Sequence, residues 1–262
     1  MNPYFIEGPA LISFSGGKTS AYMLRKVMDA GLQDDVHVVY ANTGKEREET
    51  LRFIHEIELR WDVPVRWIEY GRGEVDYLTA SRKGEPFEAV LAKYDKIPNP
   101  AIRFCTQELK IRVMRNFMKG LGYKHWDMVV GIRADEPRRV ARMRAPNKQR
   151  WENVLPLAEA RVSLPDVEAF WSAQPFDLQL KPYQGNCDLC FLKSRHKRMQ
   201  IIRETPERAA WWAEMEKRHG GTFRLEDNFA SLTEEVARSP LLFPQLFDVP
   251  DTDDLGDCVC HD

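Results

Sequence analysis

Short apolar runs alternate with longer amphipathic stretches through the first half of the chain. Leu11–Phe14, Val36–Tyr40, Val65–Tyr70 and Asp127–Ile132 are brief and mostly apolar, the pattern of strands buried on both faces. Between them, Thr19–Ala30, Glu46–Trp61 and Gln107–Leu121 carry apolar residues at helical spacing, and Gly31 follows the first as a stop. Strand–helix alternation of this kind predicts an α/β fold, a parallel twisted sheet with helices on both faces. After residue 150 the pattern changes. Ser163-Leu164-Pro165-Asp166 reads as a helix start ahead of Val167–Ala173, and Pro206–His219, with Trp211 and Trp212, reads as another helix. No further alternating strands are expected there. The expected parts are an α/β domain over 1–150, a mainly helical extension over 151–247, and an acidic tail over 248–262 that is expected to be mobile.

Composition narrows the class. The chain has 262 residues, 43% hydrophobic and 30% charged, which suits a soluble globular protein with a sizeable core. The formal net charge of −2 gives no global attraction to nucleic acid, so any such binding needs a local patch. No apolar run reaches membrane length, and Met1-Asn2-Pro3-Tyr4 has no basic, signal-like character. The expectation is a cytoplasmic protein with no membrane partner; a homo-oligomer stays open. Five cysteines, an odd number, favour metal or redox chemistry over a disulfide frame.

The first chemical signal is Ser13-Phe14-Ser15-Gly16-Gly17-Lys18-Thr19-Ser20, placed after a strand and before a helix. Gly16 and Gly17 let backbone N–H groups approach an anion, the helix N-terminus adds donors and positive dipole, and Lys18 adds a full charge. Ser15, Thr19 and Ser20 add hydroxyls. It is not a Walker A loop, because the position five before Gly17 is Ile12 rather than glycine. The plain alternative is a glycine turn that caps a helix and holds nothing. Ser-Gly-Gly-Lys-x-Ser resembles the PP-loop of the ATP pyrophosphatase superfamily, with Thr19 where that motif usually has Asp.

Three further segments extend the resemblance. Asn42-Thr43-Gly44-Lys45-Glu46 is similar to the Asn-Thr-Gly-x-Glu loop of the phosphoadenosine phosphosulfate (PAPS) reductase family. Arg103-Phe104-Cys105-Thr106-Gln107-Glu108-Leu109-Lys110 is similar to its Cys-Thr-x-x-Leu-Lys segment, and Val130-Gly131-Ile132-Arg133-Ala134-Asp135-Glu136 to its Gly-Ile-Arg-Ala-x-Glu. Together with Asn186-Cys187-Asp188-Leu189-Cys190, the pattern resembles the PAPS reductase-like proteins of phages and bacteria. The resemblance implies an adenine-nucleotide site in which Ser15 to Ser20 hold phosphates, Asn42, Thr43, Gly44 and Glu46 line the same cleft, and Arg133 approaches the anionic end. A guanidinium suits phosphate or sulfate oxygens; the plain alternative for Arg133 is a salt bridge to Asp135 or Glu136. Glu46 reads equally as a Mg²⁺ ligand or as a helix-start carboxylate.

Cys187 and Cys190 have the spacing that lets two thiolates face one metal. With Cys105 they resemble the cluster site of adenylyl-sulfate reductases, which carry an adjacent Cys-Cys pair where this chain has Cys105 and Thr106. Three thiolates imply a four-iron four-sulfur cluster with one open iron, as in PP-loop enzymes that thiolate RNA bases. Zinc with His196 as fourth ligand is the alternative, and three metal-free reduced cysteines the plain one. The terminal Asp257-Cys258-Val259-Cys260-His261-Asp262 is similar to the Glu-Cys-Gly-Leu-His end of sulfonucleotide reductases, which would make Cys258 a nucleophile, although the nearby aspartates raise a thiol's pKa.

Arg133, Arg138, Arg139, Arg142 and Arg144, with Lys193–Arg198, suggest a basic rim for tRNA or DNA, weighed against an ordinary solvated face. Three functional readings follow. The first is an enzyme that uses ATP with Mg²⁺, in which Lys18 steadies departing pyrophosphate while a nucleobase-type substrate is adenylylated for sulfur transfer, with a sulfur or electron donor protein as a further partner. The second is a sulfonucleotide reductase acting through Cys258. The third is a non-catalytic nucleotide and redox sensor.

Overall fold

A computed structural model describes residues 2–239. The tail cysteines Cys258 and Cys260, and His261, lie outside the described residues. The chain forms two compact units, each assembled from separate stretches.

The first unit comprises residues 1–42, 48–80 and 112–179. Its strands are β1 (Ala10–Ser13), β2 (Val36–Asn42), β3 (Val65–Glu69), β4 (Gly73–Val75), β5 (Trp126–Val130) and β6 (Trp151–Val154). They form one sheet in the order β4-β3-β2-β1-β5-β6. Every pairing is parallel except the β3–β4 hairpin. The α/β expectation therefore holds, with an antiparallel edge strand added. β1 sits between β2 and β5, in register Ala10 with Val36 on one side and with Asp127 on the other. All four β1 residues are buried, which is why this strand reads as an apolar run without alternation.

The helices of this unit are α1 (Lys18–Gly31), α2 (Glu48–Trp61), α5 (Val113–Gly120), α6 (Pro137–Arg144), α7 (Pro156–Glu159) and α8 (Leu164–Ser172). α1 buries Ala21, Tyr22, Met23, Leu24 and Val27, and α2 buries Leu51, Phe53, Ile54 and Ile57. Aromatic edges join them to α8: Tyr22 meets Phe170 at 5.1 Å and Phe53 meets Trp171 at 5.0 Å. α8 starts at a capping box between Ser163 and Asp166, at the helix start expected from the sequence. β6 was not expected. Its four residues, Trp-Glu-Asn-Val, are too few and too polar to announce a strand.

The second unit comprises residues 43–47, 81–111 and 180 onward. It contains α3 (Glu85–Tyr94), α4 (Phe104–Thr106), α9 (Arg195–Glu204), α10 (Glu207–His219) and α11 (Phe229–Arg238). A π-helical stretch, Gln107–Arg112, runs from α4 into α5. The core of this unit is aromatic. Trp212 is fully buried and meets Phe223 at 4.8 Å, Phe229 at 5.4 Å and Phe87 at 5.8 Å. Glu216 is buried beside it and accepts from the Phe223 and Phe229 backbone N–H groups at 3.0 and 2.7 Å. Its burial pushes its carboxyl above the ordinary value against those two bonds.

Arg198 on α9 is 1% exposed and pairs with Asp227, 6% exposed, at 2.8 and 3.3 Å. Removing one partner strands the other as an uncompensated buried charge. Asp227→Ala is therefore expected to lower unfolding stability by about 3–5 kcal/mol, read as a lower urea midpoint at unchanged slope. A loss well under about 1 kcal/mol would show that this pair behaves as a surface one.

Candidate functional site

In the first unit the strand order turns at β1, and the loop after β1 carries Ser15, Gly16 and Gly17. Ligands of open α/β sheets bind at the carboxyl end of the strands at such a reversal. At Gly16 the loop has no room for a side chain. Gly16 has φ +75°, and a Cβ there would lie 2.7 Å from Ile54 Cδ1 and 2.8 Å from Thr50 Cγ2. A Cβ on Gly131, just beyond β5, would lie 3.1 Å from Ser20 Cα. Gly17 precedes α1, whose first residue is Lys18, and no side chain caps the helix. The first N–H groups of α1 thus lack a side-chain cap at a helix N-terminus, the arrangement that favours an anion.

Most polar groups of the loop are tied to one another. Ser15 Oγ and Ser20 Oγ are 3.0 Å apart, and Ser20 Oγ donates to Gly17 O at 2.9 Å. Lys18 Nζ lies 2.7 and 2.8 Å from the two carboxylate oxygens of Asp177. Trp171 Nε1 donates to Lys18 O at 2.9 Å. Arg133 does reach the loop: its Nη1 donates to Thr19 Oγ1 at 3.2 Å. It also forms the ion pairs of the plain alternative, to Asp135 at 2.9 Å and Glu136 at 3.7 Å. Burial alone would raise the Asp135 carboxyl. The Leu164 N–H and the Arg133 charge outweigh burial and hold it below its ordinary value. Asn42, at the end of β2, is fully buried and donates to Glu69 Oε1 at 2.6 Å. The structure thus brings Ser15 through Ser20 and Arg133 together. Asp177 and Trp171, which hold Lys18, carried no motif and were not expected.

In the second unit, Lys45–Arg47 pairs with Asn186–Asp188. Arg47 N donates to Asn186 O at 2.7 Å and Asp188 N to Lys45 O at 2.8 Å, and Glu46 bridges Cys187 in antiparallel sense. Side chains fasten the same pair of segments. Lys45 and Asp188, each 7% exposed, form a 3.0 Å ion pair, Trp212 Nε1 donates to Asp188 Oδ1 at 3.0 Å, and Lys45 Nζ lies 4.6 Å from the Trp211 ring centre. Gly44 has φ +77°, and a Cβ there would meet Pro86 Cδ at 2.8 Å. The Glu46 carboxylate accepts from Thr43 N and Thr43 Oγ1 at 2.9 Å. Burial raises its pKa, while Lys110 and the Thr43 bonds pull it back. α2 begins only at Glu48, so Glu46 is not the helix-start carboxylate.

Cys105, Cys187 and Cys190 line one cavity of this unit, together with Thr43, Glu46 and Lys110. Its volume is about 40 Å³, room for roughly three waters. Cys105 lies beside the π-helical stretch, a distortion that recurs at functional sites. Three cysteine thiols lining one cavity are of a chemical type suited to a soft metal or an iron–sulfur cluster. Their present placement is not that of a closed ligand set: among the described residues no group of three or more His, Cys, Asp or Glu side chains converges on a metal-ion position. His196, on α9, is not part of the cavity wall. No helix among the described residues is long and apolar enough to cross a membrane.

Comparison with known proteins agrees with the motifs. The model of the phosphoadenosine phosphosulfate reductase domain matches residues 9–173. An uncharacterized nin region protein of Escherichia phage lambda is 34% identical over 205 residues, covering 71% of this chain and 67% of that protein. An uncharacterized protein of Methanocaldococcus jannaschii is 28% identical over 114 residues, 44% of this chain and 20% of that one. Among solved structures, the phosphate complex of phosphoadenylyl-sulfate reductase from Candida auris aligns with a TM-score of 0.43 at 11% identity, covering 63% of this chain and 72% of that one. The U34-tRNA thiolase NcsA from Methanococcus maripaludis, solved with its 4Fe-4S cluster, aligns with a TM-score of 0.41 at 12% identity, covering 87% and 71%. The family match across the sheet and the phage relative establish that this chain belongs to the phosphoadenosine phosphosulfate reductase domain family.

Proposed function

We propose that the protein is an ATP-using member of this family that adenylylates a nucleobase-type substrate, releases pyrophosphate and so prepares the substrate for sulfur transfer. The observation that carries this reading is the phosphate loop at the β1 reversal, with Gly16-Gly17 before α1 and Lys18 as the first helical residue. Lys18 resembles the lysine of PP-loop enzymes that cleave ATP between the α- and β-phosphates. Sulfonucleotide reductases usually depart from Gly-Gly-Lys at this point.

The chemistry asks for charge at two places. A substrate oxygen attacks the α-phosphorus, the bond to the β-phosphate breaks, and pyrophosphate leaves with Mg²⁺, which enters as MgATP. A sulfide then attacks the activated carbon, and AMP leaves with the substrate oxygen. The α1 N-terminus and Lys18 would hold the departing pyrophosphate, and Arg133 would hold the oxygens of the phosphate that reacts. Lys18 must first leave Asp177, which neutralises it without a nucleotide. Cys105, Cys187 and Cys190 would hold a cluster, which in such enzymes supplies a site for the incoming sulfur.

The family description supports a second reading, a sulfonucleotide reductase. Its nucleophile would be Cys258, which lies outside the described residues. The two readings separate on products. The first gives substrate-dependent pyrophosphate release that survives Cys258→Ser. The second gives sulfite release that Cys258→Ser abolishes.

Lys18→Ala is expected to weaken MgATP binding about 10- to 100-fold, the worth of one charged hydrogen bond, and to abolish pyrophosphate release. Asp177→Asn should tighten MgATP up to about fivefold, because a half-exposed ion pair is worth up to about 1 kcal/mol. Weaker binding in Asp177→Asn would instead make Asp177 part of the binding site. Anaerobically purified protein should hold about four iron and four sulfide per chain. Cys187→Ser and Cys190→Ser should lose both while MgATP binding persists. Zinc, or no metal, in that preparation would remove the cluster from the mechanism.

A further inference from the structure

The most basic stretch of the first unit lies beside a cavity away from the phosphate loop. Between residues 137 and 150 there is no Asp or Glu, while Arg138, Arg139, Arg142, Arg144, Lys148 and Arg150 are all cationic. The chain as a whole carries −2, so this is a local excess. α6 (Pro137–Arg144) has no buried residue. Arg139 is paired with Glu136. Arg138, Arg144, Lys148 and Arg150 are exposed and form no ion pair with any described residue. A helix that buries nothing leaves Arg138 and Arg144 exposed to solvent, and a polyanion laid on this face releases counterions.

The cavity lies where β1, β5 and β6 begin, at the strand ends opposite the phosphate loop, and its wall includes Pro9, Trp126 and Trp151. Its volume is about 720 Å³, within the range of about 300–1,000 Å³ typical of small-ligand sites. Arg144 and Arg150 stand on its wall, so the basic stretch leads into it. Asp127, Glu152 and Asn153 supply acceptors on the same wall. Two buried polar atoms of wall residues, Trp126 Nε1 and Asn153 Oδ1, have no hydrogen-bond partner among the described residues.

We infer that this surface docks a single-stranded nucleic acid, with phosphates along Arg138, Arg144, Lys148 and Arg150 and one base in the cavity. Cations that track a backbone, next to a polar recess that takes an unstacked base, are the two parts of single-strand recognition. An acidic peptide fits less well, because its carboxylates would meet Asp127 and Glu152 in the recess. Those acceptors suit the exocyclic amino groups of adenine and cytosine. A duplex keeps its bases stacked and could not fill the recess. The binding stands on this surface alone; its connection to catalysis rests on the proposed adenylylation, for which it supplies the class of substrate.

The test is fluorescence anisotropy of the full-length protein with labelled single-stranded 12-mers of dA, dC and dT, over a series of salt concentrations. The wild type should bind, more weakly as salt rises, and dA and dC at least about fivefold more tightly than dT. The triple variant Arg138→Ser/Arg144→Ser/Arg150→Ser should lose at least about thirtyfold in affinity. Its salt slope should fall by about 1 per phosphate contact removed, with MgATP binding and the far-ultraviolet spectrum unchanged. Equal binding by the triple variant, or no binding by the wild type, overturns the docking surface. Parity of the three 12-mers takes the base out of the cavity. Heparin binding that no oligonucleotide displaces would assign the surface to another polyanion. Oligonucleotide binding without MgATP binding would leave this surface standing and overturn the proposed function instead.

Discussion

The reversal of strand order at β1 governs much of the first unit. β2 and β5 flank β1 on opposite sides, so the chain that leaves β1 enters a crevice that neither neighbouring crossover covers. That crevice receives a loop whose neighbours leave no space for a Cβ at Gly16 and little at Gly131. α1 starts directly behind this loop, with no side chain capping its first N–H groups. To this backbone geometry Lys18 and Arg133 add two cations. Both of those cations are matched by carboxylates, Lys18 by Asp177 and Arg133 by Asp135 and Glu136. The site is electrostatically compensated, and an arriving phosphate competes with protein carboxylates rather than entering an empty positive field.

The second unit depends on a different interaction. The buried pair Lys45–Asp188 joins the Thr43–Arg47 segment to the segment that carries Cys187 and Cys190. A buried ion pair is costly to form and costlier to half-remove, so its worth lies in register more than in net stability. Trp212 supplies a further bond to Asp188 and at the same time centres the aromatic core. The cysteine cavity is thereby tied to the aromatic core of that unit, and Trp212 lines it. Residues 43–47, directly after β2, belong to this unit, while β2 itself belongs to the first.

Local features were legible in the sequence, and long-range ones were not. The strand–glycine–lysine–helix order of residues 10–30 states its own structure, because glycine conformation and helix start are decided within a few residues. The four main parallel strands could be read for the same reason: each is a short apolar run. β6 was not legible, since its Trp-Glu-Asn-Val becomes a strand only by pairing with β5. Asp177 lies 159 residues from Lys18 and sits in no motif, so only the fold reveals their contact. Asp188 stood inside the quoted Cys-x-x-Cys segment, but its pairing with Lys45 needs both segments placed. The arginines of α6 were visible as a charge run; that the helix buries nothing and ends at a cavity was not.

If the loop after β1 binds ATP, calorimetric titration of the full-length protein with MgATP, repeated with excess inorganic pyrophosphate, should show one saturable site per chain from which pyrophosphate displaces ATP. No saturable binding, or binding of phosphoadenosine phosphosulfate but not ATP, would contradict that assignment.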